Sequence, residues 1–411
     1  MIAFDGPYLL SVCVPIKIDR NGVRWSNELW TKDLALHLEY LDNLTLACPR
    51  IFAEPSSFDR PLNVAPFDRL KFIDLPNPKN RIEALGSLSG LICTMWKGIK
   101  SAEIVHAGFG GWPISEGWLA VPIGKLQRKF IITVVESSPW RTRGRDAKWH
   151  QRLRGFVSER LNRLCVRAAD LRFFTSKAYL EEFLGVQAEE AADRAFVTPA
   201  TWIDDAIIRT EDHAAADWRK KVGEVHFLFA GRLVADKGLR ILLNAAALIA
   251  NQVTARITIV GEGPLAEECS DFVRRNESSS LKFELLDPVQ YGPAFFGLLR
   301  HFDAVIVPSV SDEQPRLIFD AFSQGIPVLG SDTGGITEIV KDGVNGKLFK
   351  SGDALSLAET LKWASWNRDT LRMMGMSALR LSRQFTHRSM HERRSEIIWN
   401  ALTFQPRTKI L

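Results

Sequence analysis

Short β-rich runs alternate with helix-patterned segments twice along this chain, and few architectures accept that alternation. In the C-terminal half the runs are Val225–Ala230, Arg256–Val260, Lys282–Leu286, Ala304–Val307 and Pro327–Gly330, with a helical pattern between most pairs. In the N-terminal half, Tyr8–Pro15, Ile104–Ala107, Phe130–Val135 and Ala168–Thr175 read as strands, with Leu44–Ala47 and Arg69–Ile73 as weaker ones. Helices are predicted from Ser26 through Leu38, over Ile82–Ile99 and over Arg152–Ala169, the last with Leu153, Phe156, Leu161 and Val166 on its apolar side. Strands alternating with helices predict parallel sheets covered on both faces. At 411 residues the chain exceeds what one core usually supports, so two α/β domains are expected. The stretch Ala188–Arg219 is poor in large apolar residues, which puts the boundary near residue 205 and gives domains 1–205 and 206–389. A closing helix within residues 390–411 carries Ile397, Ile398 and Leu402 on one side and is expected to pack back on the first domain.

Composition removes several function classes. The 46% hydrophobic and 25% charged fractions are those of an ordinary globular protein. No apolar run approaches the roughly 18–20 residues that span a bilayer, and the N-terminus lacks a secretory signal pattern. The five cysteines (Cys13, Cys48, Cys93, Cys165, Cys269) are scattered and never form a CxxC pair. That argues against a disulfide framework or zinc site and for a reducing cytoplasm. A formal charge of +5 is too weak to argue for nucleic acid, and no finger or RNP-type motif supports it. One segment, Trp140 to Arg154, carries six Arg/Lys against one Asp between tryptophans. It is a solvated helical face or a contact with phosphates or an anionic membrane.

Two doubly wound domains leave a cleft at the carboxyl ends of their strands, where such folds bind ligands. A dinucleotide fingerprint is absent, because the loop Ile16-Lys-Ile-Asp-Arg-Asn-Gly22 holds one glycine only. The chemistry concentrates in the second half. In Phe227-Leu-Phe-Ala-Gly-Arg-Leu-Val-Ala-Asp-Lys-Gly238 a strand ends, Gly231 turns the chain, and Arg232 and Lys237 sit on the loop before a helix. Two cations at a strand-to-helix junction suit an anion such as a diphosphate; the plainer reading pairs Arg232 with a local carboxylate. Downstream, Pro315 fits a first helical turn, so the amides of Gln314–Leu317 lack internal partners. Asp320 lies one turn on, among Leu317, Ala321 and Phe322. Pairing with Arg316 at i, i+4 is the weaker orientation, and a carboxylate accepting ribose hydroxyls explains the acid better.

Six motifs occur in order: Gly231-Arg-Leu-x3-Lys-Gly238, Val260-Gly-Glu-Gly-Pro264, Val307-Pro-Ser309, the acid-x7-acid run, Ser331-Asp-x-Gly-Gly-x-x-Glu338 and Asp342-Gly-Val-Asn-Gly-Lys-Leu-Phe. Together they resemble the retaining, GT-B-fold glycosyltransferases of family 4, closely over the C-terminal half and only in layout over the first. The resemblance implies two Rossmann-like doubly wound domains facing a central cleft, and a nucleotide-diphosphate sugar used without a metal or other cofactor. Arg232 and Lys237 match the cations that hold the donor diphosphate, replacing Mg²⁺ as stabilisers of the leaving group. Asp312 and Asp320 match the family's two glutamates, the first facing the donor sugar and the second the ribose. Glu313 is the rival for the first role, since an Asp-Glu-Gln-Pro-Arg turn replaces the usual Glu-Gly-Phe-Pro. Pro315, Arg316 and Leu317 would line the donor, Gly261 and Gly263 would admit the nucleotide, and Asp287 falls where the family contacts the base.

In the first domain, His106 at the end of its strand resembles the histidine that positions the donor sugar beside the acceptor, a structural histidine being the plain alternative. Glu136 ends the strand Phe130–Val135 and is a candidate for an acceptor hydroxyl or an N-cap. Arg141 and Arg143 are candidates for acceptor contacts, and Gly22 for a loop closing over the diphosphate. The implied reaction is retaining transfer of a hexose to a glycan hydroxyl, with domain closure assembling the site. The implied acceptor is a lipid-linked oligosaccharide of exopolysaccharide or lipopolysaccharide synthesis, met at the cytoplasmic face of the inner membrane. A non-catalytic nucleotide-sugar-binding scaffold and a GT-B-fold epimerase are the alternatives.

Overall fold

The computed structural model describes residues 1–111, 114–138, 140–141, 149–185, 194–311 and 313–403. Asp312, Arg143 and most of the basic segment before Trp149 therefore lie outside the described residues.

The C-terminal sheet has six strands, ordered Leu281–Leu286, Ala255–Val260, Val225–Ala230, Ala304–Val307, Val328–Ser331 and Gly346–Phe349. All neighbours pair in parallel. Numbered along the chain, this is the order 3-2-1-4-5-6 of dinucleotide folds, whose switch point lies between the first and fourth strands. Its register aligns Ala230, Val260 and Leu286, so Gly231, Gly261 and Asp287 leave the sheet at one level.

The N-terminal sheet repeats the plan. Lys71–Leu75, Leu44–Phe52, Tyr8–Ser11, Ile104–Gly108, Phe130–Val135, Leu171–Phe174 and Ala195–Val197 run side by side in parallel. Three short strands, Ile16–Ile18, Arg24–Asn27 and Asp59–Pro61, extend it beyond Arg50–Phe52 with antiparallel pairings among themselves. Sequence pattern missed these because they are short and largely polar. Gly22 sits in the turn of that hairpin at φ +78°, where Asp19 Oδ1 accepts from Asn21 and Val23.

Burial follows the expected faces in the second domain: Leu239, Leu242, Leu243, Ala246 and Ile249 all point inward. The helix Trp149–Ala168 departs from expectation. It buries Gly155, Ser158, Asn162 and Val166, while Leu153 and Phe156 are 54% and 58% exposed. The reason is polar: Asn162 accepts a 2.6 Å bond from the Trp118 indole, and that pairing turns the other face outward. The closing helix His387–Thr403 inserts Ile397 and Ile398 into the core of the first domain, in one buried cluster with Tyr40, Leu41 and Phe173. Among the described residues no helix is long and apolar enough to cross a membrane.

Candidate functional site

The two domains meet across a cleft with a cavity on each side. The C-terminal one, ≈ 330 Å³, is lined by Gly231, Arg232, Gly261, Tyr291, Leu317 and Asp320 among others. It lies at the carboxyl ends of the first three strands of the C-terminal fold. Glycine is required where backbones cross there. A Cβ on Gly261 would stand 1.9 Å from the Gly231 carbonyl oxygen, and one on Gly238 1.7 Å from that of Pro308. Arg232 is exposed at the rim. Lys237 lines neither of these cavities; it pairs with Glu313 of the same domain, Nζ to Oε2 at 3.0 Å, both side chains partly buried.

Asp320 is 5% exposed and does not pair with Arg316; its Oδ1 accepts a 2.8 Å bond from the Tyr291 hydroxyl. Burial pushes its carboxyl up to about 7, against the lowering effect of the Tyr291 bond. Burial and the neighbouring carboxylate in turn raise the Tyr291 phenol, so it stays a donor. Sequence reasoning missed Tyr291, which sits in the loop between strand and helix with no motif of its own. Asp287 is exposed just past its strand, and the following Pro288 and Val289 line the cavity in its place. Gly263 packs its backbone against Leu233, whose amide and carbonyl bond Glu262 and Leu265 and fix the loop.

On the N-terminal side a cavity of ≈ 370 Å³ is lined by His106, Glu136, Trp30, Trp202, Arg316 and Arg394 among others. His106 lies within the strand Ile104–Gly108, not at its end, and is 4% exposed. Its Nδ1 bonds the Tyr8 hydroxyl at 2.7 Å, and burial holds its pKa well below the ordinary range, so the ring is neutral. Nε2 is then the ring nitrogen left for a ligand. Glu136 is half-exposed in the cleft and faces two cations, Arg316 at 3.4 Å and Arg394 at 3.8 Å. Arg316 also lies over the Trp202 ring at 5.0 Å. Glu116, unnoticed in the sequence, is pushed up to about 7 by burial beneath the Gly110–Gly111 loop.

Arg316 and Leu317 are consecutive yet line opposite cavities, which makes the turn after Pro315 the shared wall of the cleft. Further bonds hold the halves together: Gln314 Oε1 accepts from the Ala200 amide at 3.0 Å, and Glu338 Oε1 from the Ala178 amide at 3.0 Å. Two expected site residues stand elsewhere. Arg141 pairs with Glu159 and Glu182 at 2.8 and 2.6 Å, bracing the helix Trp149–Ala168, and lines neither cavity. Gly22 lines neither cavity, because its turn belongs to the edge hairpin.

Residues 224–365 match the family model described as "Glycosyl transferases group 1". Among curated relatives, the D-inositol 3-phosphate glycosyltransferase of Nocardia farcinica is 31% identical over 167 residues, 38% of this chain and 36% of that protein. The sulfoquinovosyl transferase SQD2 of Arabidopsis thaliana is 24% identical over 180 residues, 42% of this chain and 34% of that protein. The chain thus spans about a third of the length of these relatives. Solved structures extend the likeness to the whole fold. Anabaena HepE in complex with UDP-glucose covers 96% of this chain and 100% of its own at TM-score 0.65 and 18% identity. Sucrose-phosphate synthase from Thermosynechococcus elongatus covers 97% and 100% at TM-score 0.71 and 14% identity. Residues 224–365 thus resemble a glycosyl transferases group 1 domain, in a chain with the two-domain GT-B fold.

Proposed function

We propose that this protein transfers a hexose from a nucleotide-diphosphate sugar to a hydroxyl of a glycan acceptor, with retention of configuration and no metal at the diphosphate. The observation that carries the reading is the C-terminal cavity, which sets Arg232 and buried Asp320 in one space at the mouth of the sheet. Asp320, once ionised, can accept two ribose hydroxyls, while Arg232 and Lys237 face the diphosphate and neutralise it as it leaves. The UDP-glucose held by HepE supports a UDP-sugar as donor. Retention follows if the leaving phosphate oxygen takes the proton of the incoming hydroxyl on the same face of the sugar. His106 and Glu136 then position sugar and acceptor from the opposite wall.

The acceptor fits a lipid-linked oligosaccharide met at a cytoplasmic membrane surface, as in exopolysaccharide or lipopolysaccharide synthesis. Supporting this, Trp149, Leu153 and Phe156 stand exposed beside Arg152 and Arg154, and Ile82, Leu85 and Trp96 are exposed on the helix Arg81–Lys100. Apolar side chains interleaved with cations suit an anionic bilayer. Five unpaired cysteines suit a reducing compartment.

The test is nucleoside diphosphate release from a panel of donors in the presence of glycan acceptors. Release should fall by about two orders of magnitude in Arg232→Ala and in Lys237→Ala. Unchanged release in both variants overturns the reading. For the membrane surface, sedimentation with phosphatidylglycerol vesicles at low salt should be lost in Leu153→Glu/Phe156→Glu; no sedimentation of the parent protein contradicts it.

A further inference from the structure

We infer that Asp33, His387 and His391 form a binding site for one transition-metal ion of the zinc class, distinct from the donor cavity. His387 and His391 are four apart on the helix His387–Thr403, so their imidazoles project from one face. The helix Glu28–Leu38 supplies Asp33 opposite them. Both Nε2 atoms converge on the same carboxylate oxygen, Asp33 Oδ1, at 2.9 Å from His387 and 3.0 Å from His391. One donor atom from each residue lies within 4.8 Å of the others.

That convergence matches what a tetrahedral ion needs. With bonds of about 2.0–2.1 Å, donor atoms stand roughly 3.3 Å apart; the two nitrogen–oxygen separations are a few tenths of an ångström short of that, and the two nitrogens lie within 4.8 Å of each other. Two nitrogens and a carboxylate oxygen are a donor set that zinc accepts. The side chains of His387, His391 and Asp33 are 1%, 0% and 9% exposed. Outer contacts already orient the donors: the Tyr40 hydroxyl lies 3.3 Å from His391 Nδ1, and His37 Nδ1 lies 3.2 Å from Asp33 Oδ2. Asp33 and His387 also line the N-terminal cavity, which provides an entry path and room for a fourth, non-protein ligand.

The ion would tie the chain's closing helix to the first domain at the wall facing His106. No residue of the trio lines the donor cavity, so the site leaves the diphosphate chemistry to Arg232 and Lys237. This revises the expectation of a metal-free protein only at a place the sequence motifs do not cover.

The experiment uses the full chain stripped with chelator and titrated with Co²⁺. The expected result is the visible band of four-coordinate cobalt, saturating at one equivalent and displaced by Zn²⁺. His391→Ala and Asp33→Asn should each weaken binding on the order of 100-fold. Anomalous scattering at the zinc edge from crystals of the parent protein soaked in Zn²⁺ locates the ion without any variant. Absence of the band, its persistence in the folded variants, or anomalous density away from these three residues overturns the site and leaves a purely hydrogen-bonded cluster.

Discussion

The hydroxyl of Tyr291 donates a 2.8 Å hydrogen bond to Oδ1 of Asp320, and the two side chains share the cavity wall with Gly231 and Gly261. A buried carboxyl held at about 7 retains its proton in the folded protein where the unfolded chain has released it. The unfolded state then binds fewer protons, so this group's contribution to stability declines as pH rises from its ordinary 3.8 towards 7, and is level above that. Glu116 contributes with the same sign over a similar range. Melting temperature against pH should therefore fall less steeply in Asp320→Asn than in the parent protein. Tyr291→Phe removes a bond that lowers the Asp320 pKa, so the midpoint of UDP binding against pH should move upward. Parallel pH profiles in all three proteins would contradict the assignment.

Glu313 holds Lys237 at 3.0 Å within the C-terminal domain. A diphosphate must draw Lys237 away from that partner, at a cost of about 1 kcal/mol for a partly exposed pair. Glu313→Gln should then bind UDP roughly fivefold more tightly by calorimetry, since about 1 kcal/mol corresponds to that factor. If Glu313 instead faces the donor sugar, turnover in Glu313→Gln falls while UDP affinity still rises. Weaker UDP binding in this variant contradicts the pairing argument.

Gly238 and Gly22 share a left-handed backbone, φ +73° and +78°, but only the first is crowded. An added Cβ at Gly22 meets nothing within 4 Å, whereas at Gly238 it meets the Pro308 carbonyl. Gly22→Ala should cost about 1 kcal/mol, from backbone conformation alone. Gly238→Ala should cost clearly more, roughly 3 kcal/mol, and displace the loop bearing Lys237. Denaturant titration of the two variants gives the comparison; equal losses would mean that Pro308 does not constrain the loop.

The alternation of Val225–Ala230, Arg256–Val260 and their successors made both parallel sheets legible, because continuous apolar runs leave a strand little choice. Arg232 and Asp320 were legible as residues that share one cavity, because each belongs to a segment that follows a strand of the same sheet; Lys237 lines neither cavity and pairs with Glu313 instead. Tyr291 with Asp320, and Glu136 with Arg316, were not, since tertiary packing brings together side chains 29 and 180 positions apart. The helix Trp149–Ala168 misled for a related reason. Its inward face is set by Trp118 and Asn162, and no periodicity within the helix reports a partner elsewhere. His106 was readable as a cleft residue but not as a buried, neutral one, because Tyr8 pairs with it across the sheet.

The central claim is that a nucleoside diphosphate sits between Arg232 and Asp320. Calorimetric titration with UDP, ADP and GDP tests it most directly, in the parent protein and in Arg232→Ala and Asp320→Ala. The account predicts binding of one of them at one site per chain, weakened about tenfold or more in each variant. If none of the three binds, or if both variants bind as the parent does, the donor cavity is wrongly assigned.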